Sequence, residues 1–315
     1  MAKKKDLAYL KKRLAKITYY ITEAFAVSRS GQAVDAYLKG RSISEEMRAR
    51  VDYCCKLDQP FSLTDKAVAV GDFKRGKSFV YYADTRRVIR HFPKEVRFEY
   101  IFGDVTYVPE TPSFVKSRPV SDDNANAVLL KLDAYRHFQF YQDPYQFKDK
   151  KPQAIWRGMV YQPHRRAFVD LFYNSTLADV GHNDATLAHE PSYKGFMSIQ
   201  QQFAYRYILS VEGKDVATNL KWAMASNSLV MMRKPRYETW FLEGRLEPGK
   251  HYVLLKDDYS DLEEQIAYYN EHPGEAQAII ANAHQYVAQF LDAEQEQTVA
   301  LLVAQKYFDL QKSAN

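Results

Sequence analysis

Apolar and polar positions alternate most legibly in the second half of this 315-residue chain. Ile208–Val211 reads as a short buried strand, Glu212-Gly213-Lys214-Asp215 as a turn, Ala217–Ser226 as a helix and Leu229–Met232 as a second buried strand. Upstream, Ala154–Arg157 is a short strand ending in Trp156-Arg157-Gly158, and Arg165–Tyr173 is a helix. Downstream, Tyr252–Leu255 is a further strand. Ser260 with Glu263 forms a capping box for a helix through Tyr269. Pro273 opens the next helix at a position that tolerates proline, and Ala288–Leu310 supplies one or two amphipathic helices. Strands alternating with helices predict a parallel sheet with helices on its faces, an α/β protein.

The first half is less regular. Ser42 and Glu45 predict a capping box for a helix through Met47 to about Cys55. Phe79–Tyr82 fits either a short strand or the start of a helical run ending at Phe92-Pro93. Val96, Phe98, Tyr100 and Phe102 alternate as in a strand. Asp104 lies just past that strand, at the edge where open α/β sheets bind ligands. Val105–Asn126 holds three prolines and no clear periodicity; a loop of that length in a compact protein points to function. Val128–Asp133 fits a strand or a helix. Tyr141–Pro152, rich in Lys, Asp and Pro, is the candidate interdomain linker. The expected organisation is an α/β domain over 1–150, a Rossmann-like domain over 151–290, and a helix over 291–315 that packs back on the first domain.

Composition bounds the class. With 46% hydrophobic and 26% charged residues, the chain fits a folded soluble protein of two ordinary domains. Cys54 and Cys55 are adjacent, a poor geometry for a bridge, so two reduced thiols in a cytosolic compartment are expected. No zinc spacing occurs. No apolar run approaches the roughly 20 residues that cross a bilayer, and the N-terminus lacks a cleavable signal pattern. Residues 1–16 carry seven Lys or Arg against Asp6 alone, with Leu7, Leu10, Leu14 and Ile17 at helical spacing. This basic amphipathic helix suits an anionic membrane surface, or is an ordinary surface helix. A formal net charge of +5 is too modest to argue for nucleic acid as a partner.

Candidate chemistry centres on the turn at Glu212. It opens onto a helix start carrying Thr218, Asn219 and Lys221, and free N–H groups at a positive dipole end suit phosphate. Gly-x-Gly-x-x-Gly and the P-loop pattern are both absent, which disfavours ordinary dinucleotide or NTP binding.

Five spaced segments, in order, resemble glycosyltransferase family 90, the group of capsule xylosyltransferases and protein O-glucosyltransferases. They are Trp156-Arg157-Gly158, YRYILSVEG, ATNLKWAMASNSLV, YETWFLEGRLEPGKHYVLLKDDYSDLEEQI and EAQAIIANAHQYV. FGDVTYVPETPSFVKSRP is similar to the bacterial members tied to lipopolysaccharide or capsule assembly. The resemblance implies a GT-B architecture, two Rossmann-like domains facing across a cleft, with the acceptor side in 1–150. It implies a UDP-sugar donor held by 151–290, a glycan or glycolipid acceptor, inversion, and no required metal or other cofactor. The implied setting is the cytoplasm, peripheral on the inner face of the cytoplasmic membrane.

Roles follow from that chemistry. Positive charge must balance the departing diphosphate. Arg157 is the first candidate, with Gly158, Glu212, Thr218, Asn219, Lys221 and Glu238 completing the donor site. Glu238 either reads donor hydroxyls or pairs with Arg236. Asn219 stands near where the eukaryotic relatives carry arginine, so Lys221, Arg206 or Arg166 must supply that charge. The base is expected at Asp122 or Asp123, then Asp104; His137 and His164 are weaker candidates. The competing reading is a non-catalytic peripheral-membrane or nucleic-acid-binding module built on the basic N-terminus.

Overall fold

The computed structural model describes residues 14, 16–20 and 33–312. The basic amphipathic segment expected at 1–16 therefore lies almost wholly outside the described residues. In chain order the main elements are helices α1 (Val34–Leu38), α2 (Glu45–Cys54) and α3 (Phe79–Ile89), joined by strands β1 (Val68–Ala69), β2 (Arg97–Phe98), β3 (Tyr100–Ile101), β4 (Ser113–Val115) and β5 (Ala127–Leu129). There follow β6 (Lys151–Gly158), α4 (Pro163–Phe172), β7 (Ala178–His182), β8 (Tyr205–Leu209), α5 (Leu220–Met224), β9 (Leu229–Met232) and β10 (Val253–Leu254). Helices α6 (Leu262–Glu271), α7 (Pro273–Ala288) and α8 (Ala293–Asp309) end the chain. Among the described residues no helix is long and apolar enough to cross a membrane. Cys54 and Cys55 are both buried and unbridged.

The chain divides into two compact units. One holds the described residues up to Arg136 together with those from Ala293 onward; the other runs from His137 to Asp292. Tyr141–Pro152 lies inside the second. Its Lys150 is buried, and Nζ donates to Phe203 O at 2.6 Å and Ser228 Oγ at 2.9 Å.

In the first unit, β3, β4 and β5 form a parallel three-stranded sheet, and β1 pairs antiparallel with β2. The alternating run at 96–102 is thus two strands. Glu99 divides them: its N–H donates to Tyr307 Oη at 3.1 Å, and its carboxylate accepts from Thr64 N at 2.7 Å. Ser113–Val115 turns part of the long proline-bearing loop into the central strand, buried at all three residues. Helix α8 completes this core. The Tyr307 ring lies 4.3 Å from Phe114 and 5.0 Å from Phe61, and Arg50 donates to Glu296 at 2.6 Å.

In the second unit five parallel strands are ordered β10–β9–β8–β6–β7. β9 is buried at every residue, which is why it reads as an apolar run; β8, buried at all but Arg206, starts at Tyr205 and ends at Leu209 rather than spanning the expected Ile208–Val211. α4, α6 and α7 bury Phe168, Ile266 and Ile279 in the same core as Tyr207 and Met231.

Candidate active site

Numbered by chain order within its sheet, the second unit reads 5-4-3-1-2. The chain leaves β6 toward one side for its next strand and crosses to the other side for β8. Connections after β6 and β8 therefore diverge, and such a switch point is where open α/β sheets bind ligands, at the carboxyl ends of the strands.

The first turn of α4 fastens the walls of that crevice. Arg165 Nε donates to Glu212 O at 2.7 Å, Nη2 to Val211 O at 2.8 Å and Nη1 to Met159 O at 3.4 Å. His164 Nε2 lies 2.8 Å from the same Glu212 O. One guanidinium thus satisfies carbonyls that no strand partner reaches. At the end of β6 only glycine fits, because a Cβ on Gly158 would lie 2.7 Å from Cζ2 of Trp156.

Glu212 anchors the opposite wall. Its carboxylate accepts from Arg236 N at 2.9 Å and Arg236 Nε at 2.8 Å, with Arg233 Nη2 at 3.7 Å. Arg233 also donates to Asp257 O at 3.1 Å and lies 5.1 Å from the Tyr259 ring centre. Arg236 is the accessible cation, its side chain 55% exposed, and Lys214 is exposed on the turn. Beside these groups is a narrow cleft of about 10 Å³ lined by Ser210, Glu212, Ala217, Arg233, Glu243 and Tyr259. Arg236 and Arg233 face the Glu212 carboxylate, and Arg165 holds its backbone carbonyl. Burial first, then Arg233, Arg165 and Arg236, hold the His164 pKa below the ordinary histidine value. The arrangement is equipped to hold an anion beside aromatic faces.

Of the residues expected from the sequence, Gly158 and Glu212 lie at this crevice. Thr218 sits half-buried in the turn before α5. Asn219 does not cap that helix: Nδ2 donates to Leu209 O at 2.9 Å and Oδ1 accepts from Ser210 Oγ at 3.3 Å, tying the helix start to the end of β8. Lys221 is turned inward. α5 is buried at every residue, and Lys221 Nζ donates to Glu243, which also accepts from Thr239 N at 2.6 Å. Glu238 is fully buried and accepts from Gly244 N at 3.3 Å, while Arg236 pairs with Glu212 instead.

Arg157 likewise faces the sheet. Its side chain is 4% exposed, Nη2 donates to Asp179 Oδ1 at 2.7 Å and Nη1 to Asp179 O at 2.6 Å. Arg206 is held by Asn270 Oδ1 at 3.1 Å, and Arg166 is paired with Glu190. The cations actually at the crevice, Arg165 and Arg233 with Arg236, carry one local signal: each lies within two residues of Pro163 or Pro235.

Asp104 and Asp133 lie at the carboxyl edge of the first unit's parallel sheet. Asp104 is one-third exposed and accepts from buried Lys116. Asp133 has φ 53° and is raised above the carboxylate range by burial. Nearby Asp84 accepts from Ala134 N at 3.0 Å, and burial pushes its pKa up to about 7. Asp122 and Asp123 are exposed on a bend, where Ser121 Oγ accepts from Asp123 N at 3.2 Å. Neither ring nitrogen of buried His182 finds a protein hydrogen-bond partner, although Glu190 lies 3.3 Å from Nε2. Among the described residues no three His, Cys, Asp or Glu side chains are grouped to hold a metal ion.

Residues 135–314 match the family model described as glycosyl transferase family 90. The O-glucosyltransferase LpsA of Dichelobacter nodosus is 53% identical over 269 residues, covering 84% of this chain and 85% of its own. Protein O-glucosyltransferase 3 of Homo sapiens is 29% identical over 171 residues, and protein O-glucosyltransferase 2 of Danio rerio 28%. Those alignments take in 52% of this chain but only 33% and 34% of the animal proteins.

Proposed function

Because the chain belongs to glycosyl transferase family 90, we propose that it transfers glucose from UDP-glucose to a hydroxyl of lipopolysaccharide. The observation that carries this reading is the cationic crevice at the β6/β8 switch point. Arg233 lines it, with Arg236 and Lys214 beside it, and they outnumber Glu212; the cleft's other carboxylate, Glu243, is already paired with Lys221. Such a balance is what a nucleoside diphosphate requires. Glucose is favoured because a relative 53% identical along most of both chains bears the name O-glucosyltransferase. The architecture is GT-B-like, with the donor in the second unit.

The reaction is an inverting displacement. The acceptor oxygen bonds to the anomeric carbon of glucose, the bond from that carbon to the diphosphate breaks, and UDP leaves with the electron pair. A carboxylate takes the acceptor proton. Asp104 is the proposed base, since it combines partial exposure with a fixed position against Lys116 at a parallel-sheet edge. Arg236, Lys214 and Arg233 balance the charge that develops on UDP, so no metal is required.

Calorimetric titration of UDP and turnover of UDP-glucose test the reading. Arg236→Ala weakens UDP binding, and Asp104→Asn stops transfer while UDP still binds. Unchanged UDP affinity in Arg236→Ala removes the donor-site assignment. Transfer that survives Asp104→Asn but fails in Asp122→Asn or Asp123→Asn moves the base to the bend.

A further inference from the structure

The first unit carries a second concentration of positive charge, and it is built around a cavity. Residues 72–97 hold eight Lys or Arg against Asp72, Asp84 and Glu95, and Asp84 is buried. Between α3 and the turn at Val70–Asp72 lies a cavity of about 200 Å³. Phe73, Ile89 and Phe92 contribute its apolar wall, and Arg86, Arg90 and Lys94 its cations; no acid lines it.

The site is braced. Gly71 N donates to Lys94 O at 2.9 Å, and Val70 N to Val96 O at 2.9 Å, fixing the backbone that bears Lys94. A Cβ on Gly71 would lie 3.1 Å from Lys94 Cβ, so the two segments of chain approach closely at this glycine. Arg86 Nη1 donates to Tyr82 Oη at 2.7 Å, which orients its guanidinium.

Charge pairing separates this face from the rest of the unit. On the α2/α8 side, Arg50 and Lys131 pair with Glu296, Lys306 with Asp52, and Arg41 with Glu294. Arg86, Lys94 and the loop cations Lys74, Arg75 and Lys77 form no ion pair among the described residues. Uncompensated cations repel one another, so their grouping is favourable only when an anion arrives. Beside them Phe79 is 38% exposed, with the Arg75 guanidinium 5.0 Å from its ring centre. An exposed aromatic among cations matches the boundary between headgroups and acyl chains.

We propose that this cavity binds the phosphate of an anionic lipid headgroup and so seats the first unit on a membrane surface. Arg86 and Lys94 contact the phosphate oxygens, Arg90 adds charge from the wall, and Lys74, Arg75 and Lys77 meet neighbouring headgroups. The site is separate from the donor crevice and does not rest on the transferase reading.

The full-length protein is sedimented with phosphatidylcholine vesicles and with mixed phosphatidylglycerol–phosphatidylcholine vesicles. Binding is expected only to the mixed vesicles. Arg86→Gln with Lys94→Gln weakens it roughly 1,000-fold, the loss of two hydrogen-bonded charged contacts to phosphate. Lys74→Gln, Arg75→Gln and Lys77→Gln together remove more charge but lose less binding, because the cavity is intact. Inorganic phosphate competes beyond the effect of chloride at equal ionic strength. Lys94→Gln alone, with an unchanged unfolding midpoint, gives the same direction should the double variant misfold. Equal binding to both vesicle types, or a greater loss in the loop variant, overturns the proposal. Competition by inorganic phosphate without any preference for phosphatidylglycerol overturns the lipid assignment in favour of a soluble phosphate.

Discussion

Lys221 and Arg236 are cations fifteen positions apart in sequence, yet burial gives them opposite work. Lys221 is sealed against Glu243, and removing one member of a sealed pair strands the other charge. Lys221→Ala is therefore expected to cost about 3–5 kcal/mol, read by chemical denaturation. Lys221→Met combined with Glu243→Gln restores most of that loss. Arg236 is largely exposed, so Arg236→Ala leaves the unfolding midpoint nearly unchanged. It raises the Kd for UDP about tenfold, the worth of one charge-assisted contact, measured by calorimetry. The sequence shows a lysine near a helix start but not which way it points. α5 begins at Leu220, not Ala217, and a helix of little more than one turn has no periodicity from which to read a face. Arg157 was legible as a strand-end residue and not as the partner of Asp179, because that partner comes from the neighbouring strand.

At the scale of elements, legibility tracked length. β6 is long, β9 is wholly apolar and β8 ends in the apolar pair Ile208-Leu209, so their alternation with helices revealed the parallel sheet. β1 to β5 have two or three residues each, too few to carry a period of two. The capping signals were displaced rather than false. Ser44, not Ser42, accepts from Met47 N at 3.2 Å, and Asp261, not Ser260, precedes α6. Glycine at the end of β6 is a packing requirement that pattern alone leaves hidden. Gly158→Ala drives a methyl into Trp156, and about 1–3 kcal/mol of overpacking cost is expected. Thermal unfolding of Gly158→Ala against Met159→Ala checks this; equal midpoints would show that the ring moves aside.

The whole molecule joins two units that answer acid in opposite directions. In the first, Asp84 keeps its proton up to about pH 7, whereas an unfolded carboxyl releases it near 3.8. The folded state binds the extra proton between those values, so this stabilisation is complete below 3.8 and is lost as pH rises through about 7. In the second, His164 and His251 are held below 6.5 by burial and neighbouring cations. Their contribution is present above 6.5 and is lost as pH falls through the lowered values. Asp179 acts in the same sense further down: against a burial cost, Arg157, Lys194 and Tyr205 hold it near 2. Calorimetry from pH 4 to 8 is expected to show a steeper acid loss in Asp84→Asn, since that variant lacks the opposing slope, and a shallower one in His164→Gln. The return of α8 to the first unit has a consequence for biogenesis. On the ribosome, residues 137–292 emerge as one contiguous piece able to close its sheet at once, while the earlier-made half waits for Tyr307 and its neighbours. The half synthesised first is the half finished last, and for that interval its exposed apolar surfaces are a client for chaperones.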